Sequence, residues 1–249
     1  MICSVGNSID RIPLARYEDV IIFYEDNQII VAYKPSGVLS QADGSSAPDM
    51  LNVIKSYLKK KYNKPGQVFL GLVHRLDRPV SGIMVFAKTS KAASRISEQI
   101  RNHTFIKHYR LLADGQVGQV GQEGEYHSYI CKDVKKNISR AVSAEVKDSK
   151  ECRLLYKVMG VGEYRGRTLS GVEVVLLTGR SHQIRVQFAE HKHALIGDAK
   201  YNNTVSSGFT KDICLESCYL SFIHPTAKEI VEFKLSSENN KIWETFISE

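Results

Sequence analysis

No stretch of this sequence is long and apolar enough to span a bilayer; runs such as Val85-Phe86-Ala87 end after a few residues. The segment from Met1 to Asp19 carries Asp10, Arg11, Arg16, Glu18 and Asp19 and lacks the apolar core of a secretory signal. Cysteine is sparse and odd in number: Cys3, Cys131, Cys152, Cys214 and Cys218 show no disulfide-framework spacing. Cys214 and Cys218 would stand one turn apart on a helix, but no second pair completes a tetrahedral zinc site, so they read as packing residues. His191 and His193 flank Lys192 with no acidic or cysteine partner at ligand spacing, so no metal is expected. No repeat of solenoid length is present. These absences speak against a membrane span, a disulfide-stapled secreted domain and a zinc module, and they point to the cytoplasm.

What is present suits a globular protein. The 249 residues are 43% hydrophobic and 24% charged, enough for one sizeable domain or two small ones. Lysine and arginine number 34 against 27 acidic residues, a formal charge of +7. A basic balance favours polyanionic partners, because bound phosphates release counterions.

Short runs rich in β-branched and aromatic residues predict strands over residues 20–24, 28–33, 68–73, 83–87, 106–113, 153–159, 172–177 and 229–235. A helix is expected after Ser46 as cap with Pro48 in its first turn, since Met50, Leu51, Ile54, Tyr57 and Leu58 recur at helical spacing. Lys59 to Lys61 suit its C-terminal end, and Asn63-Lys64-Pro65-Gly66 stops it. A second helix is expected from Thr89 or Ser90, and a third over His182 to His191 with Ile184, Phe188 and Ala189 inward. The glycines at 115, 118, 121 and 124 mark a loop. Many strands without regular βαβ alternation predict a mixed α+β fold, read as one domain over residues 1–249.

Two constellations carry candidate chemistry. The first is His74-Arg75-Leu76-Asp77-Arg78-Pro79-Val80-Ser81-Gly82, joining two apolar runs. A carboxylate between arginines is suited to act as nucleophile or electrostatic stabiliser and is a poor general acid. Taken in isolation, it reads first as a turn aspartate that accepts backbone hydrogen bonds and pairs with a neighbouring arginine. The second is Gly179-Arg180-Ser181-His182-Gln183-Ile184-Arg185, at a strand-to-helix junction. It could bind a phosphate at the helix start, aim a guanidinium at a buried carboxylate, or hold solvated arginines. In Ile106-Lys107-His108-Tyr109, alternation puts Lys107 and Tyr109 on one face, where a tyrosine can stack on a base or simply pack in a sheet. Lys34-Pro35-Ser36-Gly37 reads as a turn ending a strand.

In this order the motifs resemble the RluA-type RNA pseudouridine synthases. Residues 24–37, ending in Lys34-Pro35-Ser36-Gly37, resemble the family's opening strand pair and turn. His74-Arg75-Leu76-Asp77 with Ser81-Gly82 resembles its central motif, and Lys107-His108-Tyr109 its K-x-Y strand. Gly179 to Arg185, Gly197-Asp198-Ala199-Lys200-Tyr201 and His224-Pro225 resemble later elements. Pro79 and Val80 depart from the acidic residue and threonine usual before Ser81-Gly82.

The resemblance implies a mixed, largely antiparallel sheet flanked by helices and loops, and isomerisation of uridine to pseudouridine in ribosomal or transfer RNA. It implies Asp77 as the catalytic aspartate, Tyr109 stacking on the target base, Arg185 pairing with the aspartate, and Arg75 filling the space left by the flipped nucleotide. His74, Lys34, Arg180, His182 and Gln183 join Arg75 as expected RNA contacts. No cofactor or metal, a monomer, and no separate N-terminal RNA-binding module are expected. The competing reading is a non-catalytic RNA-binding or ribosome-assembly factor on the same fold; a two-carboxylate hydrolase lacks an evident second acid.

Overall fold

Apolar residues recur in two patterns along this chain, and each becomes a different kind of strand. Ser81–Ala87 is buried almost throughout, which marks a strand covered on both faces, whereas Lys150–Tyr164 alternates buried and exposed positions like a half-solvated strand. The computed structural model describes residues 2–4, 10–14, 18–202, 212–236 and 241–247. Part of the N-terminal segment read as lacking a secretory signal, including Arg16, lies outside the described residues.

In chain order the first elements are β1 (Ile2–Ser4), β2 (Asp10–Ile12), β3 (Val20–Glu25), β4 (Ile29–Lys34), α1 (Met50–Lys61), β5 (Gly71–Leu72), β6 (Ser81–Ala87) and α2 (Ser90–Arg101). They are followed by β7 (Ile106–Asp114), β8 (Glu123–Asp133), β9 (Ile138–Val142), β10 (Lys150–Tyr164), β11 (Arg167–Leu176), α3 (Gln183–Glu190), β12 (Leu215–Ile223), β13 (Ile230–Lys234) and α4 (Lys241–Phe246). The α+β expectation holds, with a sheet that is mixed but largely antiparallel. Among the described residues no helix is long and apolar enough to cross a membrane.

The chain divides into two compact units: Met1–Ile106 with Ser217–Leu235, and Lys107–Glu216 with Ser236–Glu249. In the first, strands run in the order β2-β3-β4-β6-β12, and β13 pairs antiparallel with β12 and parallel with β1. Its core joins Ile29 and Val31 of β4, Ile83 and Val85 of β6, Ile96 of α2, Phe105, and Leu220 and Phe222 of β12. Burying each such side chain contributes about 1.5–3 kcal/mol. In the second unit the order is β7-β11-β10-β8-β9, and Leu112, Leu169, Ile196, Cys214, Trp243 and Phe246 form a core.

Local chemistry moved several expected boundaries. Asp49, not Ser46, caps α1: its carboxylate accepts the Asn52 N–H at 3.0 Å. Pro48 stays outside because its carbonyl accepts the Leu39 N–H, and Met50 N–H in turn reaches the Leu39 carbonyl. Thr89 caps α2 as expected. The strand expected over 68–73 shrinks to Gly71–Leu72, paired only with the end of β6. Cys214 and Cys218 lie not on a helix but just before and within β12, both buried, and burial pushes the Cys214 thiol up to about 12.

Gly82, where β6 begins, has φ +122, and a Cβ there would run into the Ser217 backbone. Gly82→Ala combines a strained dihedral with a backbone clash. It is expected to cost about 3 kcal/mol or more, read as a fall in the urea midpoint; an unchanged midpoint rejects the packing account.

Candidate active site

In the first unit Asp77 sits on a loop that a second loop holds in place. Val80 N–H donates to the Asp77 carbonyl at 3.0 Å, closing a turn over Asp77-Arg78-Pro79-Val80. The departure from the family pattern at Pro79-Val80 leaves this turn firmly held. Val80 is buried, and the Pro79 carbonyl accepts the Ser36 hydroxyl at 2.9 Å. Gly37, at φ +81, turns the Lys34-Pro35-Ser36-Gly37 segment back so that its N–H meets the Arg78 carbonyl at 2.9 Å. Arg78 Nε returns a bond to the Gly37 carbonyl at 3.0 Å. Ser40 Oγ donates to the Leu76 carbonyl at 2.7 Å and accepts the Leu76 N–H at 3.1 Å. Asp77 is thus flanked on both sides by residues whose backbone is fixed, while its own side chain is half-buried.

Lys34, expected among the RNA contacts, has a different place. Its side chain is fully buried, and Nζ donates to the carbonyls of Pro35, Val38 and Arg78 at 3.0, 2.6 and 3.0 Å. An ammonium group has three protons to give, so it has none left for a phosphate. Lys34 is a post that ties the two loops together. Burial pushes its pKa down to about 7, against the pull of Asp77, which favours the charge, and with help from Arg78, which opposes it.

The sign of the pH effect follows. The unfolded chain keeps this lysine protonated up to its ordinary value of 10.5, so between about 7 and 10.5 the unfolded state binds more protons. Stability from this group therefore rises with pH across that window, and below about 7 the full cost of burying the charge is felt. The stability of the wild type relative to Lys34→Met is expected to rise by on the order of 1 kcal/mol per pH unit from pH 7 to 10 in urea titrations. Parallel pH profiles for the two proteins would reject it.

His74 and Arg75 part company. His74 is buried; its Nε2 accepts the Val85 N–H at 3.0 Å and its ring lies 5.6 Å from that of Phe105. That fixes the start of the loop to β6 and spends one ring nitrogen on the fold. Arg75, by contrast, is exposed.

The second unit carries the other candidates. Tyr109 lies on β7 opposite Val174 of β11 and is buried. Lys107, on the same face, has its ammonium next to Gly179, and burial lowers its pKa. The helix read over His182 to His191 is α3, with His182 as its first cap in a left-handed conformation, φ 57. All residues from Gln183 to Phe188 are buried, so this short helix is core on every side and Ala189 is only half-buried.

Of the three readings left open for the arginines, Arg185 takes the buried carboxylate. Its Nε and one terminal nitrogen bond Asp198 at 2.8 and 2.7 Å, with both side chains almost wholly buried. Asp198 also accepts the Lys200 N–H at 2.9 Å, and a Cβ on Gly197 (φ +76) would strike the Asp212 backbone. Arg180 is exposed, with Nε on the Glu151 carbonyl at 3.0 Å. Gln183 folds back on its own loop: Oε1 accepts the Thr178 hydroxyl and the Arg180 N–H, and Nε2 donates to the Arg153 carbonyl. Three bonds from its amide therefore serve the loop. His182 Nδ1 lies 2.7 Å from the Tyr201 hydroxyl, which also accepts the Ser139 N–H at 2.9 Å.

Asp198 and Tyr201, the partners of Arg185 and His182, were not among the expected site residues. Their signal was the Gly197-Asp198-x-x-Tyr201 motif thirteen residues after Arg185, but spacing alone does not say that its aspartate meets that arginine. Among the described residues no group of histidine, cysteine, aspartate and glutamate is arranged to hold a metal ion.

Comparison with known proteins places this geometry. The RNA pseudouridylate synthase family model matches residues 28–190. The dual-specificity RNA pseudouridine synthase RluA of Haemophilus ducreyi is 30% identical over 84% of this chain and 90% of its own length. The ribosomal large subunit pseudouridine synthase D of Neisseria meningitidis serogroup B is 34% identical over 88% of this chain and 58% of its own length. Among solved structures, human RNA pseudouridylate synthase domain containing 1 superposes with a TM-score of 0.69 at 22% identity, covering 87% of this chain and 83% of its own, a likeness of fold. The chain belongs to the RNA pseudouridylate synthase family, of the RluA and RluD type, whose members are isomerases.

Proposed function

We propose that this chain isomerises particular uridines of ribosomal or transfer RNA to pseudouridine, as a cytoplasmic monomer, with Asp77 as the catalytic carboxylate. Uridine has to lose its bond from sugar to nitrogen 1, rotate, and rejoin through carbon 5. Nothing is oxidised, hydrolysed or passed to another molecule. The base leaves its stack at a cost of about a few kcal/mol, which an aromatic platform offsets in part; Tyr109 is assigned that place. Arg185 is assigned to the aspartate and Arg75 to the gap left by the flipped nucleotide. Arg180 and His182 are assigned to the RNA backbone. Whether the aspartate attacks the base, attacks the sugar or removes a sugar proton, it has to be ionised.

The observation that supports this best is the clamp on the Asp77 loop. Lys34, Ser36 and Ser40 bond the backbone carbonyls of Arg78, Pro79 and Leu76, on either side of Asp77. A loop whose backbone is held by its neighbours keeps the side chain it carries pre-organised for a task. One relative is a dual-specificity RNA pseudouridine synthase and another a pseudouridine synthase of the large ribosomal subunit, which supports ribosomal RNA among the substrates.

Carbodiimide-adduct primer extension across total RNA, with and without the gene, tests the reading. At least one pseudouridine is expected to vanish on deletion. An unchanged map in both RNA classes would mean that the chain is a binder that kept the fold.

A further inference from the structure

The C-terminal end of α1 gathers lysines that nothing in the catalytic loop explains. Lys59, Lys60 and Lys61 end the helix, and a Schellman closure turns the chain back: Asn63, at φ +47, has its N–H on the Lys60 carbonyl at 3.3 Å, and Lys64 N–H reaches the Lys59 carbonyl at 3.0 Å. This return brings Lys64 Nζ to 5.8 Å from the centre of the Tyr62 ring, with Lys88 Nζ 5.1 Å from the same ring. Underneath lies a single acid. Glu25 takes Lys88 at 2.6 Å, the Tyr62 hydroxyl at 2.7 Å, Lys61 at 3.1 Å and the Tyr57 hydroxyl at 3.2 Å. Burial alone would raise the Glu25 pKa, but the bonds from Lys88, Tyr62 and Lys61 outweigh it and hold it below the ordinary range.

The cluster is therefore built, not a loose set of surface charges. One buried carboxylate fixes Lys61, Lys88 and the Tyr62 ring, which stays 48% exposed; Lys64 lies 5.8 Å from that ring, and Lys59 and Lys60, the two residues before Lys61 on α1, are exposed. A helix end needs about one cation to complement its dipole; α1 ends on three lysines, with Lys64 and Lys88 added beside Tyr62. The surplus positive field and the half-open ring match the backbone of a polyanion carrying flat bases.

We propose that this lysine cluster around Tyr62 is a second RNA-binding site, which takes phosphates of the substrate strand away from the target uridine. It rests on the reading that the chain acts on RNA. The Asp77 loop enters β6 and Lys88 follows its end, so the seven residues of that strand separate the two by roughly 23 Å at about 3.3 Å per residue. RNA has to extend several nucleotides beyond the target to reach the cluster, and short substrates lose its help.

The test is anisotropy titration with a fluorescein-labelled oligouridylate of about 20 nucleotides, between about 50 and 200 mM KCl. Each phosphate neutralised contributes about −0.7 to the slope of log K against log salt for a single strand. The triple variant Lys59→Ala, Lys60→Ala, Lys64→Ala is expected to lose about two units of slope and to bind at least about tenfold more weakly at the lower salt. Its arginine counterpart is expected to keep both. A triple alanine variant with the wild-type slope and affinity overturns the proposal. Failure of the function reading shows differently: the wild type would keep its steep salt slope and leave every pseudouridine in the map unchanged on deletion.

Discussion

Asp77→Asn is expected to lower the rate of pseudouridine formation by about a thousandfold or more, which corresponds to about 4 kcal/mol of transition-state stabilisation or more. The amide has the shape of the carboxylate but cannot carry its charge, and each route open to the aspartate needs that charge. The loop should survive the change. Its backbone is held through the carbonyls of Leu76, Arg78 and Pro79, none of which asks anything of the Asp77 side chain. Loss of rate with a melting curve unaltered where folded Lys34 is neutral, above its pKa of about 7, is therefore the expected pair of results. A second signature accompanies them: Asp77 favours the charged form of Lys34, so the neutral amide should move the Lys34 titration further down. Activity within a few fold of the wild type would sink the assignment of Asp77 and leave the fold untouched.

The largest expected effect on stability is at the other end of the chain's chemistry. Asp198→Ala is expected to cost about 3–5 kcal/mol, because it leaves the Arg185 guanidinium buried without its carboxylate. The cost is that of a stranded charge and not the net worth of the pair, so a control separates the two. Replacing both partners, Arg185→Met with Asp198→Leu, should recover much of the loss while forfeiting whatever Arg185 does for catalysis. Urea unfolding of the single and double variants reads the difference. If the single variant loses less than about 1 kcal/mol, the pair is not a structural keystone.

How much of this was legible beforehand differs from residue to residue. Thr89 and the apolar spacing after it announced α2 completely, since a cap and a periodic face are local properties. The start of α1 was misplaced by three residues because Pro48 is engaged by Leu39, a partner that the local sequence does not reveal. The strand over 68–73 failed for a related reason: propensity was there, but ladder bonds need a neighbour, and β6 offers only its last two residues. Among the site candidates, Arg75 and Arg180 remain exposed as a surface role requires. The motifs do not show that Lys34 gives its three ammonium protons to backbone carbonyls, or that the Gln183 amide bonds Thr178, Arg180 and Arg153 of its own surroundings.

By itself the sequence determined the composition class, the family through the order of its motifs, the helix caps that are local, and the candidacy of Asp77. Those are properties of residue type and spacing, which survive without knowledge of what lies across space. The tertiary structure decided which polar groups are consumed and which stay open. It placed Asp198, thirteen residues away, against Arg185, and it turned Lys34 from a surface cation into a buried post beneath the Asp77 loop. The reason is the same in each case. A buried polar group is stable only when its partner is in place, and partners are chosen by the packing of distant segments, not by their neighbours in the chain.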